Sequence, residues 1–541
     1  MVASGALRQV LGAAAAAAAM MAGGCVQANR AAGPDRTAGL NLSRVPAAAP
    51  TAQTDLTPVP EDLVIAMPAS AGIARPPFAG VFDAATEKML EEVQYGAFKY
   101  FWETGNPTTG MIPDRSSKTL VSVAGVGFQM AAIVIGVERG WITKAQGAER
   151  CERMLRALLS NPVNRYAGVF QHFVDGTTAG LADGAYEQVV STIDSALLFS
   201  GALVASEYFG GEVARLADEM VAAANWQAFV VRKGRPEEAW AAGNVSLGWK
   251  ITDKNDPVGG GGELLPYAWI DSGCEHRLVN FLAVAAPKPE HRLPAENYYR
   301  LRRGLGDYRG TGPMVWFPYS GALFVNAFSH CFIDYAGMGP DNPAAFGQRA
   351  RVRVDWWENS RRMVNMHRAK AIDNAAGRPG FGENGWGLTA SDFAGGYQVP
   401  GVFPEKLPMP WAKPNLDYST WAQKDNYGDG TLAPYGAGMA IMFEPKAAAA
   451  ALAHYKALRG SDGKPLVWGD PWQPESQGGG YGFLDAFNQA SGWVAPEYVA
   501  IDQGPLIIAI ENARTGLIWR LFHRHRFVQS GMERLGLEID R

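Results

Sequence analysis

Two stretches place a serine three residues before a carboxylate at the head of an apolar run. In "STIDSALLFSGALVA" the pair is Ser191 and Asp194, and in "SGCEHRLVNFLAVAA" it is Ser272 and Glu275. That spacing is a capping-box pattern, in which the acid does no more than satisfy orphan backbone N–H groups. The same placement would also let several carboxylates at helix starts face one cleft and do acid–base work. A helix N-terminus favours the ionised carboxylate, whereas a general acid must keep its proton. Apolar burial or a neighbouring carboxylate would have to offset the dipole.

Further acids stand among aromatic residues and glycines. They are Asp114 beside Arg115 in "GMIPDR", Asp175 close after His172 in "FQHFVDG", and Asp334 close after His330 in "SHCFIDYAG". Asp392 closes "GWGLTASD", Asp485 follows Tyr481 in "YGFLDAFN", and Asp502 lies in "IDQGP". Any one alone reads as structural. Together with 16 Trp, 18 Tyr and 24 Phe, more than a core needs, they suit a glycan cleft. Aromatic faces stack on the apolar faces of sugar rings, and carboxylates accept hydroxyl protons. Trp102 ends the first helical pattern, and Trp386 stands between Gly385 and Gly387. The glycines around Trp386 would let backbone approach a stacked sugar; the alternative is a core Trp beside a turn.

Other chemistries lack their parts. HExxH, CxxC, a Walker loop and a G-x-S-x-G elbow are all missing from the sequence. His172, His330 and His367 lack close ligand spacing, so no metal and no cofactor is expected. Net charge of −4 with 19% charged residues gives no reason to expect a nucleic-acid partner. Cys151, Cys274 and Cys331 suit buried small hydrophobes.

Helices must position these groups. Asp83 can cap a helix in which Leu90, Val93, Ala97 and Phe101 form one stripe. Similar patterns cover 126–137, 145–159, 191–208, 212–224, 272–286, 324–335, 343–370 and 445–458, with little strand-like alternation. Gly- and Pro-rich loops such as "WGDPWQPESQGGGYG" join them. An all-α fold, an α/α toroid with aromatic-rich loops forming a cleft, fits this order. The run "VLGAAAAAAAMMAGGC" is too short to span a bilayer and has the form of a signal-peptide core. Residues 1–25 thus read as a lipoprotein-type leader with lipidation at Cys25, or as an ordinary leader cleaved near Gly24. Residues 26–80, rich in Ala, Pro and Thr, read as a disordered tether, and 81–541 as the folded domain.

"YFWETGNPTTGMIPDR", "VAGVGFQMAAIVIGVERGWI", "STIDSALLFSGAL", "GWGLTASD", "GTLAPYGA", "YGFLDAFN" and "IDQGPLIIAIENARTG", in this order, resemble the glycoamylase-like domain of bacterial β-1,2-glucan hydrolases of the glycoside hydrolase family 144 type. The resemblance runs from about Phe82 to Arg520. It implies an (α/α)6 barrel and endo-acting, inverting, metal-free hydrolysis of β-1,2-glucan. Glu275 takes the place of the general acid, and Asp485 is favoured as base, with Asp392 second and Asp194 a further cleft carboxylate. Trp102, Arg115, His172, Asp175, His330, Asp334, Trp386 and Tyr481 are the candidate substrate contacts. This chain departs from the family with His276 and Arg277 after the Glu, and with "APKPEH" at the helix end. The expected partner is a β-glucan, met by a monomer held to membrane only through its lipid, in the periplasm or outer membrane of a Gram-negative-type bacterium. A toroid hydrolase or transglycosylase of another glucan, or a non-catalytic glycan-binding lipoprotein, would share these features.

Overall fold

The computed structural model describes residues 59, 63–66, 73–78, 80–182, 188–232, 242–253, 261–407 and 424–540. The leader, Cys25 and most of the expected tether lie outside the described residues. In chain order the helices that build the body are α1 (Ala84–Glu103), α2 (Val123–Glu138), α3 (Lys144–Ser160) and α4 (Thr192–Phe209), followed by α5 (Gly211–Ala223) and α6 (Cys274–Ala285). Then come α7 (Trp356–Asp373), α8 (Pro434–Met439), α9 (Pro445–Ala457), α10 (Ala500–Arg514), α11 (Leu517–Arg524) and α12 (Arg526–Leu535). Strands are two to four residues long and pair in small hairpin-like sheets near helix ends. The molecule is therefore mostly helical.

Burial separates two kinds of helix. In α2 every residue from Val123 to Gly136 is buried, and in α4 every residue from Thr192 to Ser206. Helices apolar all round must be enclosed by other elements. By contrast, α3 buries only the stripe Gly147, Cys151, Met154, Leu155 and Leu158, and its start is fixed by a capping box between Thr143 and Gln146. The enclosed segments touch in sequence: α2 packs on α4, α4 on α6, and α10 on both α2 and α8. Two 3₁₀ turns, Leu323–Asn326 and Phe328–Cys331, pack on α6, and the second also meets α10. Helices α1, α3, α5, α9, α11 and α12 lie against the outside of these.

The contact of α2 with α4 is backbone on backbone. A Cβ on Gly201 would fall 1.9 Å from the Gly127 oxygen, and one on Gly127 would fall 2.3 Å from the Leu197 oxygen. Only glycine fits at either position.

Two helical expectations give way. Residues 324–335 are 3₁₀ turns because distant groups take their backbone partners. Ser329 N–H donates to Cys274 Sγ at 2.9 Å, Asn512 Nδ2 to Cys331 O at 2.9 Å, and Trp519 Nε1 to His330 O at 2.6 Å. The expected helix over 343–370 begins only at Trp356, where the Asp355 side chain accepts from Glu358 N–H at 3.0 Å. Just before it, Arg353–Val354 pairs in parallel with Val64–Ile65.

That pairing also corrects the tether boundary, because the chain docks on the body well before residue 81. Val59 N–H donates to Arg349 O at 2.8 Å and Phe78 N–H to Ala513 O at 2.7 Å. Arg75 donates to Ala336 O and Met338 O at 3.1 and 3.2 Å and forms an ion pair with Asp355. Cys151, Cys274 and Cys331 are buried and unpaired.

Candidate active site

Helix α4 opens where the strand Val189–Ser191 ends. Ser191 Oγ accepts from Asp194 N–H at 3.3 Å and donates back to the Asp194 carboxylate, so the acid is held by its own cap. His172 Nε2 lies 3.5 Å from the other carboxylate oxygen. Asp194 is buried.

Helix α6 opens differently. Gly273 is its N-cap, and among the described residues no side chain caps it and Ser272 Oγ is buried without a partner. The expected capping box at Ser272 and Glu275 therefore does not form, because Gly273 rather than Ser272 stands at the cap. Glu275 is left 7% exposed, with no hydrogen bond or ion pair to any described residue. Burial first, and the charge of Asp194 second, push its carboxyl up to about 8. The obstacle of the helix dipole is thus outweighed. Its neighbours in sequence turn to other work. His276 Nδ1 bonds Asp271 O at 2.5 Å, and Arg277 donates to Ser272 O at 2.7 Å while lying 3.9 Å over the Trp356 ring. Neither of these departures from the family pattern neutralises Glu275.

A second group of acids gathers around the N-terminus of α10. The Asp114–Arg115 loop is tied there, since Ala500 N–H donates to Asp114 O at 2.8 Å. Arg115 Nη1 donates to both oxygens of Asp392 at 2.8 Å, sits 3.8 Å from Asp114, and lies over the Tyr397 ring. Burial works against the Arg115 charge, but Asp392 and Asp114 outweigh it and hold the guanidinium firmly protonated. Asp392 N–H donates to Asp485 Oδ2 at 2.7 Å, and Asp485 Oδ1 is buried with no partner among the described residues. Asp485 and Asp502 are neighbours, both raised by burial and then by nearby carboxylates. Two buried acids this close do not both ionise readily, so the pair shares a proton.

The two groups share one space. Asp114, raised by burial, feels the charges of both Asp194 and Asp392. Glu275, Asp194, His172, Arg115, Asp392 and Asp485 therefore come together, and Asp114, Asp502, Tyr397 and Tyr435 join them. The acids Asp114 and Asp502 carried a legible signal in their aromatic setting. The tyrosines carried none that distinguished them from core residues.

Other candidates stand elsewhere. Trp386 is 1% exposed, so its ring fills the core and offers no face to a sugar, and its backbone N–H donates to the Tyr455 hydroxyl at 2.9 Å. Its glycines serve the turn: Gly387 has φ +116° and a Cβ on it would fall 2.7 Å from Ala437 N, while a Cβ on Gly385 would meet Gly380 O at 1.7 Å. Asp175 caps a turn through Thr177 and Thr178 N–H. His330 bonds Ser360 Oγ at 2.9 Å inside the core, and burial holds it neutral. Asp334 accepts from Gly337 N–H at 3.0 Å in a turn. Trp102 lies under Arg150 at the end of α1, and Tyr481 packs on Tyr498. Among the described residues no cluster could hold a metal ion.

Residues 267–526 match the Glycoamylase family model, described as "Putative glucoamylase". That span holds Glu275, Asp392, Asp485 and Asp502. The chain is 28% identical over 485 residues to the exo beta-1,2-glucooligosaccharide sophorohydrolase (non-reducing end) of Parabacteroides distasonis, covering 84% of this chain. It spans 59% of the length of that curated relative. Among solved structures, the beta-1,2-glucanase from Parabacteroides distasonis superposes with a TM-score of 0.64 at 25% identity, over 84% of this chain and 60% of that one. The endo-beta-1,2-glucanase from Chitinophaga pinensis, solved with sophorotriose and glucose, has a TM-score of 0.64 at 24% identity, over 84% and 99%.

Proposed function

We propose that this glycoamylase-like chain is a glycoside hydrolase of β-1,2-glucan, with its enclosed segments forming the inner ring of an (α/α)6 toroid. The order α2, α4, α6, the 3₁₀ turns, α8 and α10 supplies six inner segments, and the clustered carboxylates sit at or near the starts of three of them. The observation that carries the reading is Glu275: a buried, unpaired carboxyl that keeps its proton at neutral pH, beside an ionisable neighbour, Asp194. Such a group donates to a leaving oxygen.

Hydrolysis then proceeds by two proton transfers. Glu275 gives its proton to the glycosidic oxygen as the bond to the anomeric carbon breaks. Water attacks that carbon from the opposite face and loses a proton to Asp485, inverting the centre. Asp485 suits the base role because Asp392 N–H holds only one of its carboxylate oxygens and the other has no partner among the described residues. Asp392 is occupied by Arg115 and acts as a support. Asp194, held by Ser191, keeps Glu275 protonated.

Incubation with β-1,2-, β-1,3- and α-1,4-glucans, followed by product analysis, tests the proposal. Sophoro-oligosaccharides from β-1,2-glucan alone are expected; a ladder of sizes marks endo cleavage and sophorose alone marks exo cleavage. Release from another glucan only, or binding without release, would overturn it. For the leader, we read residues 1–25 as an export signal and Cys25 as a lipid acceptor, placing the enzyme in the periplasm or on the outer membrane. Cys25→Ala should move the protein from the membrane to the soluble fraction, and an unchanged distribution would contradict the lipid anchor.

A further inference from the structure

Trp472 is 57% exposed, and among the described residues only it and Ile372 are exposed large hydrophobics. The ring is nonetheless fixed. One face stacks on Tyr95 of α1, with centroids 3.9 Å apart and planes 15° apart. Trp141 braces Tyr95 edge-on at 5.1 Å. The turn beneath is pinned as well: Asp470 Oδ1 accepts from Trp472 N–H at 2.9 Å, Asp470 Oδ2 from Gln473 Nε2 at 3.3 Å, and Pro471 O from Lys99 Nζ at 3.0 Å. The outer face of Trp472 is left open to solvent in a set orientation, and Gln473 and Glu475 next to it in sequence are exposed as well.

The catalytic group lies elsewhere. Tyr95 is eight residues before the end of α1, about 12 Å along the axis, and the Asp114–Arg115 loop begins only beyond that end. The Trp472 loop returns through the strand Gly482–Phe483 to Asp485. One segment therefore presents an aromatic ring on the outer wall and a carboxylate in the site.

We propose that Trp472, braced by Tyr95, is an accessory binding platform for a glucan chain outside the catalytic cleft. A flat, exposed aromatic face on a turn with exposed polar residues matches the C–H face and hydroxyl edge of a pyranose. A single ring is far smaller than the roughly 800 Å² per partner of a stable protein interface. Because the face is already ordered, binding a sugar there requires no further immobilisation of the side chain. The identity of the polymer rests on the functional reading above; the platform itself rests on the Tyr95–Trp472 stack.

The test compares wild type with Trp472→Ala by electrophoresis through gels containing β-1,2-, β-1,3- or α-1,4-glucan, and by kinetics on a short β-1,2-oligosaccharide and on the polymer. Expected are unchanged turnover of the short substrate, weaker retention by the polymer and a KM for polymer raised about three- to tenfold. Equal retention of the two proteins in an active preparation would overturn the platform alone. A changed oligomeric state with equal retention would make the ring a protein contact and overturn it likewise. Should wild type act on a different glucan, the functional reading fails while the Trp472→Ala difference on that glucan still decides the platform. Wild type retained by none of the three overturns both. An unchanged Tm would confirm that Trp472→Ala is folded.

Discussion

Glu275 and Trp386 drew attention for the same reason, a chemically capable side chain beside small residues, and their fates diverge on burial and partners. Glu275 has slight solvent contact and no hydrogen-bond partner among the described residues, whereas Trp386 is sealed among His367, Phe381 and Leu432 around a small cavity. Trp386→Ala should therefore destabilise the protein by about 3–5 kcal/mol, read from denaturant unfolding, and damage activity only through folding. Glu275 carries a pH signature with a definite sign. Its folded-state pKa lies above its ordinary value of 4.5, so folding stability falls as pH rises from about 4.5 toward 8. Glu275→Gln removes that burden, so Tm should rise relative to wild type at pH 7 and the two should converge near pH 4. In activity, the wild-type rate should decline as pH passes about 8, where the acid loses its proton. Asp194, Asp392 and Asp485 could be picked from the sequence because each stood in an aromatic or helix-start setting. Their division of labour could not, since it depends on Arg115 clamping Asp392, a contact spanning 277 residues, and on Asp485 sharing a proton with Asp502.

At the scale of elements, the long helices were legible because their apolar spacing and caps agreed, as with Asp83 before α1 and Thr143 before α3. The segment 324–335 carried enough apolar residues for a helix, yet Cys274, Asn512 and Trp519 claim its backbone from far along the chain. Local pattern holds no record of such partners. The capping box at Ser272 failed for a nearer reason: one residue of slippage placed Gly273 at the cap and freed Glu275. The crossing of α2 on α4 gives this scale its own prediction. Gly201→Ala puts a methyl group against Gly127 O and should cost about 1–3 kcal/mol or more, while an exposed alanine substitution such as Lys144→Ala should cost under about 0.5 kcal/mol. Chemical denaturation of both variants compares them directly.

For the whole molecule, the helical body is braced from outside by residues between 59 and 78. Removal of residues 1–58 should leave Tm unchanged, but removal of 1–80 takes away the Val64–Ile65 strand, Phe78 and Arg75. Asp355, the cap of α7, would then be buried without its cation. Loss of that partner should cost toward the lower end of about 3–5 kcal/mol, because Arg75 is 24% exposed. Equal melting of the two truncations would show that the strap adds nothing. The function proposed for this helical body depends on one proton kept on Glu275 where a glycosidic oxygen can take it. Turnover of β-1,2-glucan by Glu275→Gln, measured beside its glucan affinity, tests that most directly. The account predicts a fall in kcat on the order of 10²–10⁴ with affinity retained; near-normal turnover by a folded Glu275→Gln would contradict it.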